Sequence, residues 1–294
     1  MQQKNAKKRL LISMADTTQL LRRIKTAQNI AKTTRAMQMI AASKLKRAQD
    51  AALSSRPYVE KLSAVTTSVR KNVDQHALPV YMQSRKQTGK TLVLVIAPDK
   101  GLCGGLVSNL AREVLRREAK NDILITVGKK IESTAKYAGS DYLGSFPFGN
   151  TLPSFDVVYP IAQLIDEQYL AGKVDAVEIL TTHFESIFTQ KPHMIKLLPI
   201  LPIETEAKVT NSFQHFEPAG EEILPELLKR YLEMVLYQEV IESYLSEQAA
   251  RMLSMQNATN NAKDIIEDLR LEYNKSRQAK ITNELLDITG GAAA

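Results

Sequence analysis

Two short runs carry the residue types that cradle phosphate, Gly89-Lys90-Thr91 and Pro98-Asp99-Lys100-Gly101-Leu102-Cys103-Gly104-Gly105. A phosphate-binding loop follows a strand, opens a helix and begins with a glycine, so that backbone N–H groups can face the anion. The first run has Ser84 where the leading glycine belongs and precedes a strand-like segment. The second is better placed, between a strand-like and a helix-like segment, but has neither G-x-G-x-x-G spacing nor a Lys-Ser/Thr ending. A helix N-terminus attracts anions; the reading preferred for this run is a tight strand-to-helix turn, its glycines allowing unusual backbone angles or close packing.

Other reactive side chains are equally bare of context. Cys103 has no nucleophile cue beyond its place at a helix start, and is read as a small buried side chain. His76, His183, His193 and His215 show no H-E-x-x-H or other short metal spacing, and no G-x-S-x-G elbow occurs. Glu221/Glu222 and Glu267/Asp268 read as solvated helix faces. No catalytic, cofactor-binding or metal-binding residue is therefore assigned. An α/β enzyme with helical arms and a coiled-coil scaffold remain as alternative classes.

Charge points instead to a partner. Residues 1–90 carry 19 Lys/Arg against 4 Asp/Glu, whereas residues 91–217 carry 12 against 15 and residues 218–294 carry 8 against 13. The N-terminal surplus calls for an acidic surface. Nucleic acid fits less well: Arg22, Arg23, Lys25, Lys32, Arg35, Lys44, Lys46 and Arg47 would meet phosphates, but Thr17 to Arg56 contains no aromatic residue to stack on a base. A lone Cys103 precludes an internal disulfide and fits a reducing compartment. The most apolar run, Leu92 to Ala97, has strand length, far short of a membrane span.

The elements that carry these residues are dominated by two stretches free of Gly and Pro, Asp16 to Arg56 and Glu226 to Thr289. The second, if helical throughout, is on the order of 95 Å long, so its apolar stripe needs a partner helix or another protein. In the first, Ile24, Ala27, Ala31, Thr34, Gln38, Ala41, Leu45, Ala48 and Ala52 alternate in steps of three and four, the spacing of a two-helix seam built from small side chains. Pro57 is expected to interrupt the helix, with Tyr58 to Val73 continuing at a kink. A C-terminal seam runs through Leu245, Ala249, Met252, Gln256, Thr259, Ile266, Leu269 and Tyr273, then loses its large apolar residues at Ser276, Lys280 and Asn283. Those last turns are poorly suited to pair with the N-terminal helix and suggest a sleeve from another protein, with Leu285, Leu286 and Ile288 near the tip.

Between the helices, Thr91–Ala97, Ile123–Val127, Val174–Thr182 and Met194–Ile203 read as strands, and Leu106–Lys120 and Ile161–Leu170 as helices, which predicts a mostly parallel sheet. The expected division is a basic extension at 1–13, an N-terminal coiled-coil helix at 14–73 and a linker at 74–90. A Rossmann-like α/β domain at 91–210 follows, then a linker at 211–220, a C-terminal coiled-coil helix at 221–289 and a tail at 290–294. The extension, which holds four Lys/Arg and no acid, reads as disordered or as a start codon taken too early, since Met14 opens the periodic part.

Three segments in order resemble the γ subunit of F-type ATP synthase: NIAKTTRAMQMIAASKLKRAQ from Asn29, DKGLCGGL from Asp99, and SEQAARMLSMQNATNNA with YNKSRQAKITNELLDITGGA from Ser246 onwards. The resemblance implies an α/β domain inserted between two long terminal helices that form an antiparallel coiled coil. It implies a central rotor that stands inside an α3β3 hexamer, meets ε and the c ring below, and passes ring rotation to the β catalytic sites while binding no nucleotide or cofactor itself. It places Arg35 and Met37 in the region facing the acidic loop of β, Arg251, Gln278 and Thr282 at the β catch loops, and Phe216 and Glu217 at a foot near the c ring or ε. Association with the cytoplasmic face of a bacterial plasma membrane, through the Fo sector, follows from the same resemblance. Val107 stands where many relatives carry Asn, and the single cysteine does not supply the pair used by redox-regulated chloroplast forms.

Overall fold

A computed structural model describes residues 2–71, 73–74, 77–85, 87–117, 121–138, 141–200 and 216–291. The elements are α1 (Gln2–Lys71), β1 (Thr91–Ile96), α2 (Leu106–Arg116), β2 (Asp122–Val127), α3 (Glu132–Tyr137), β3 (Asp141–Phe146), α4 (Val158–Leu170), β4 (Ala176–Phe184), β5 (Gln190–Leu198) and α5 (Gly220–Gly291). Two compact units result: Met1–Ile40 with Ser254–Ala294, and Ala41–Leu253.

In the first unit α1 and α5 pair antiparallel. Leu20, Ile24 and Ala27 share an apolar cluster with Ile266 and Leu269, flanked by Ala31 and Tyr273. The expected N-terminal seam is the buried one: Ile24 and Ala27 are buried, and Ala31, Thr34 and Gln38 are half-buried. The C-terminal seam needs one correction, because Met255 is buried where Gln256 is exposed. Beyond Tyr273 the described side chains contain no buried one, and Asn283 is exposed while Ser276, Lys280 and Glu284 are half-buried.

The second unit holds a five-stranded sheet in the order β3-β2-β1-β4-β5. β1 pairs parallel with β2 and β4, β2 parallel with β3, and β4 antiparallel with β5. β1 is apolar at nearly every position because both of its faces are covered. Leu92, Leu94 and Ile96 pack with α4 and with the α1 and α5 segments of this unit, through Leu45, Ala48, Ala52, Leu236, Val240 and Ala249. Val93, Val95 and Ala97 pack with Leu106, Leu110 and Val114 of α2.

Several boundaries differ from expectation. α1 starts at Gln2, so backbone in the expected extension is helical, and Pro57 sits inside α1 without ending it. α5 likewise contains Pro225 in its second turn. β3 was not foreseen, and β5 starts four residues before Met194, running through Pro192. An edge strand tolerates the missing N–H of proline. The expected 74–90 linker contains a 3₁₀ turn, Val80–Met82, whose Tyr81 is buried and donates to the Asp166 carboxylate at 3.0 Å. The first half of the 211–220 linker, residues 211–215, and the end of the Met194–Ile203 strand lie outside the described residues.

Candidate functional site

Only Gly89 of the first run joins a nest of N–H groups, with Gln87 and Thr88 before it, and the protein fills that nest itself. Asp175 accepts from the backbone N–H of Gln87 at 3.1 Å, Thr88 at 2.9 Å and Gly89 at 2.6 Å. Burial pushes this carboxyl up, but the donors outweigh it and hold its pKa below the usual carboxylate range. The Asp175 carboxylate is thus the internal acceptor for these three N–H groups.

The second run, between β1 and α2, is a tight turn. Leu102 and Gly104 adopt left-handed backbone at φ 65° and 60°, and α2 starts at Leu106 without a side-chain cap. The Asp99 carboxylate accepts from the N–H of Lys129 at 2.9 Å and of Gly149 at 2.8 Å, so one acid stitches together the loops after β1, β2 and β3. Cys103 is buried, and burial raises its thiol pKa, with Arg251 lowering it and Glu247 raising it. That is an inert thiol.

Open α/β sheets bind ligands at the carboxyl ends of strands where the winding reverses. Here the reversal lies between β1 and β4, and α5 runs across it. Ser246 donates its hydroxyl to Thr182 O, near the end of β4, at 3.0 Å. Arg251 Nη2 donates to Lys100 O at 3.3 Å and Gly101 O at 3.4 Å, beyond β1. The crevice is a helix seat.

His183 pairs with Glu242, and its ring lies 6.0 Å from that of His193. Among the described residues no group of three His, Cys, Asp or Glu converges as a metal site; His76 and His215 lie outside them. Glu221, Glu222, Glu267 and Asp268 are exposed, as solvated faces are. No described helix is long and apolar enough to cross a membrane.

The residues singled out for partner contact fall into two sets. In the first unit Arg35 is exposed and Met37 half-buried, on a helix whose Arg22, Arg23, Lys25 and Lys32 are also exposed. On α5 of that unit Gln278 and Thr282 are exposed one turn apart, and the Thr282 hydroxyl donates to Gln278 O at 3.0 Å. In the second unit Phe216 is half-buried against the main core and Glu217 is exposed. Arg251 belongs to this second set, with its side chain 13% exposed and its guanidinium engaged internally.

Three groups of this region have internal roles that were not foreseen. Glu247 is 4% exposed and pairs with Arg251; their i,i+4 spacing is the signal sequence offers. Asp99 and Lys44, which donates to Asn150 O at 2.5 Å, act on backbone groups that leave no trace in side-chain pattern.

The fold defines a paired-helix protein with an inserted mixed α/β sheet. A family model described as ATP synthase matches residues 16–294. ATP synthase gamma chains are similar over nearly the whole chain. That of Dehalococcoides mccartyi strain 195 is 40% identical over 284 residues, covering 96% of this chain and 99% of the relative. That of Polynucleobacter asymbioticus is 41% identical over 293 residues, covering 96% and 100%. A solved Tetrahymena thermophila mitochondrial ATP synthase central stalk/c-ring chain matches with TM-score 0.58 and 25% identity over 77% of this chain and 99% of its own. A Euglena gracilis mitochondrial ATP synthase chain shares the fold at TM-score 0.66 and 18% identity, covering 95% and 94%. The chain belongs to the ATP synthase gamma-chain family, the rotor of the central stalk.

Proposed function

We propose that this chain transmits rotation of a c ring to the catalytic sites of an α3β3 hexamer in an F1Fo ATP synthase, itself making no bond and binding no nucleotide. The observation that carries the reading is the antiparallel pair of α1 and α5, with an apolar seam inside and a row of exposed cations outside. A long basic surface suits tracking of acidic β loops, because distributed charge attracts without fixing one angle. Arg35 and Met37 face those loops, Gln278 and Thr282 meet the β catch loops, and Arg251 reaches β from the edge of its internal network. Phe216 and Glu217 form the foot toward ε and the c ring. The complex sits on the cytoplasmic face of a bacterial plasma membrane, held there by the Fo sector. Proton or sodium flow drives it.

Co-expression with α and β tests the reading. An ATPase-active α3β3γ particle is the expected product. Failure to co-purify favours a scaffold outside rotary enzymes, and turnover by the isolated chain favours an α/β enzyme with helical arms.

A further inference from the structure

Glu247 is a buried acid on α5 whose only hydrogen-bonded partner among the described residues is Arg251, one turn on, at 2.5 Å. Its second oxygen is shielded from water and has no hydrogen-bond partner among the described residues. A buried carboxylate is costly to keep unless nearby cations offset the lost hydration. Burial raises its pKa, while Arg251 and Lys44 of α1 lower it and Asp99 opposes them. Four charged groups from α1, α5 and the β1–α2 loop therefore act on one another within the Ala41–Leu253 unit.

The contacts made from this cluster go to backbone. Arg251 grips the carbonyls of Lys100 and Gly101, and Lys44 that of Asn150. The two Arg251 contacts are long, at 3.3 and 3.4 Å, and weak by themselves. What they need is a guanidinium held in one rotamer, which a neighbouring anion supplies. The apolar contacts that Ala250 makes in the cluster around Leu106 and Leu110 have no comparable directionality. One turn earlier, Ser246 grips Thr182 O, so α5 is fastened to the ends of two adjacent strands.

We propose that Glu247 is a positioning residue for torque transfer, holding Arg251 on the Lys100 and Gly101 carbonyls so that α5 and the β1–α2 loop turn as one piece. This rests on the rotor reading, and deepens it by naming an internal latch. Arg251 thus has a task inside the chain, separate from any contact with β.

Glu247→Gln and Arg251→Lys test the latch. The first removes the anion and keeps the shape; the second keeps the cation and removes the planar fork. In the full chain, hydrogen exchange of amides 99–105 is expected to speed up on the order of tenfold in both variants, the scale of a lost charge-assisted hydrogen bond. The thermal midpoint of the whole chain serves as the control for general destabilisation. In vesicles with assembled enzyme, proton pumping per ATP hydrolysed is expected to fall while hydrolysis per particle in Glu247→Gln is retained. Wild-type exchange at 99–105 in both variants overturns the latch. Faster exchange with an undiminished pumping ratio overturns its role in torque. Failure of the wild-type chain to form an active particle overturns the rotor reading, and leaves the exchange result to decide the grip alone.

Discussion

The hydroxyls of Thr34 and Thr259 lie 2.7 Å apart across the seam of α1 and α5. Each also reaches a carbonyl of its own helix, Thr34 that of Ile30 at 3.0 Å and Thr259 that of Met255 at 2.8 Å. The antiparallel register is thereby marked by a polar pair in a seam whose buried cluster, Leu20, Ile24, Ala27, Ile266 and Leu269, is apolar.

Because each hydroxyl keeps a local acceptor, removing one does not strand a donor. Thr34→Val or Thr259→Val is expected to cost about 1 kcal/mol or less, and the double substitution to be nearer neutral than the sum, since two methyl groups replace two hydroxyls at similar volume. A double-mutant cycle on thermal or urea unfolding checks this. Strict additivity would mean that the pair contributes no coupling.

Gly128 and Gly104 both have positive φ, at 99° and 60°, but different surroundings. A Cβ on Gly128 would stand 1.8 Å from Ala97 O, whereas one on Gly104 meets nothing within 4 Å. Gly104→Ala is expected to cost about 1 kcal/mol, for backbone conformation alone. Gly128→Ala adds a clash with backbone and is expected to cost roughly 3 kcal/mol or more. Melting midpoints of the two variants give the ranking, and equal losses would refute the clash argument.

How much of this was legible differs by element. The α1 seam through Ala41, Leu45, Ala48 and Ala52 was readable because one face alone is buried and the three-four spacing follows it. On α5 all ten residues from Ile241 to Ala250 are buried, so periodicity loses its phase there, and Gln256 was taken for Met255 a turn later. β1 and β2 announced themselves as continuous apolar runs, but β3 alternates between exposed and half-buried and contains Gly144, too weak a pattern to identify. At the candidate site the glycine turn and the basic face were visible. The seat of Arg251 was not, because its acceptors are carbonyls contributed by residues about 150 positions away, and a backbone acceptor has no residue-type signature.

Two carboxyls shape stability against pH in opposite directions. Asp175 has its folded pKa lowered by the N–H groups of Gln87, Thr88 and Gly89 despite burial, so its contribution is complete above the ordinary carboxylate range and is lost as pH falls through the folded value. Glu239 is pushed from its ordinary 4.5 to about 8 by burial first and Glu242 second, with Arg56 opposing, and Glu242 is itself paired with His183. Its contribution is complete below the ordinary value and is lost as pH rises through about 8. Asp175→Asn is therefore expected to flatten the acid limb of a melting-versus-pH curve, and Glu239→Gln to raise the midpoint at pH 8 and above. No gain for Glu239→Gln in alkali would show that the acid is hydrated rather than buried.

The turns of α5 after Tyr273 offer the sharpest separation of folding from function. The last residues of the first unit's apolar cluster on α5 are Ile266 and Leu269, with Tyr273 at its flank. Farther on, Ile281, Leu285, Leu286 and Ile288 are exposed apolar side chains on the same helix as Gln278 and Thr282. Truncation after Tyr273 removes none of the cluster and none of the Ala41–Leu253 unit. The α/β sheet is expected to melt within a few degrees of the full chain, while ATP synthesis in reconstituted vesicles drops steeply. On the proposed rotor reading, these turns act through their shape inside the surrounding hexamer as much as through the two polar residues. The double variant Gln278→Ala, Thr282→Ala should therefore lose less synthesis than the truncation. Equal losses would assign the whole effect to those two side chains, and early melting of the sheet in the truncate would mean that the last turns of α5 stabilise the fold itself.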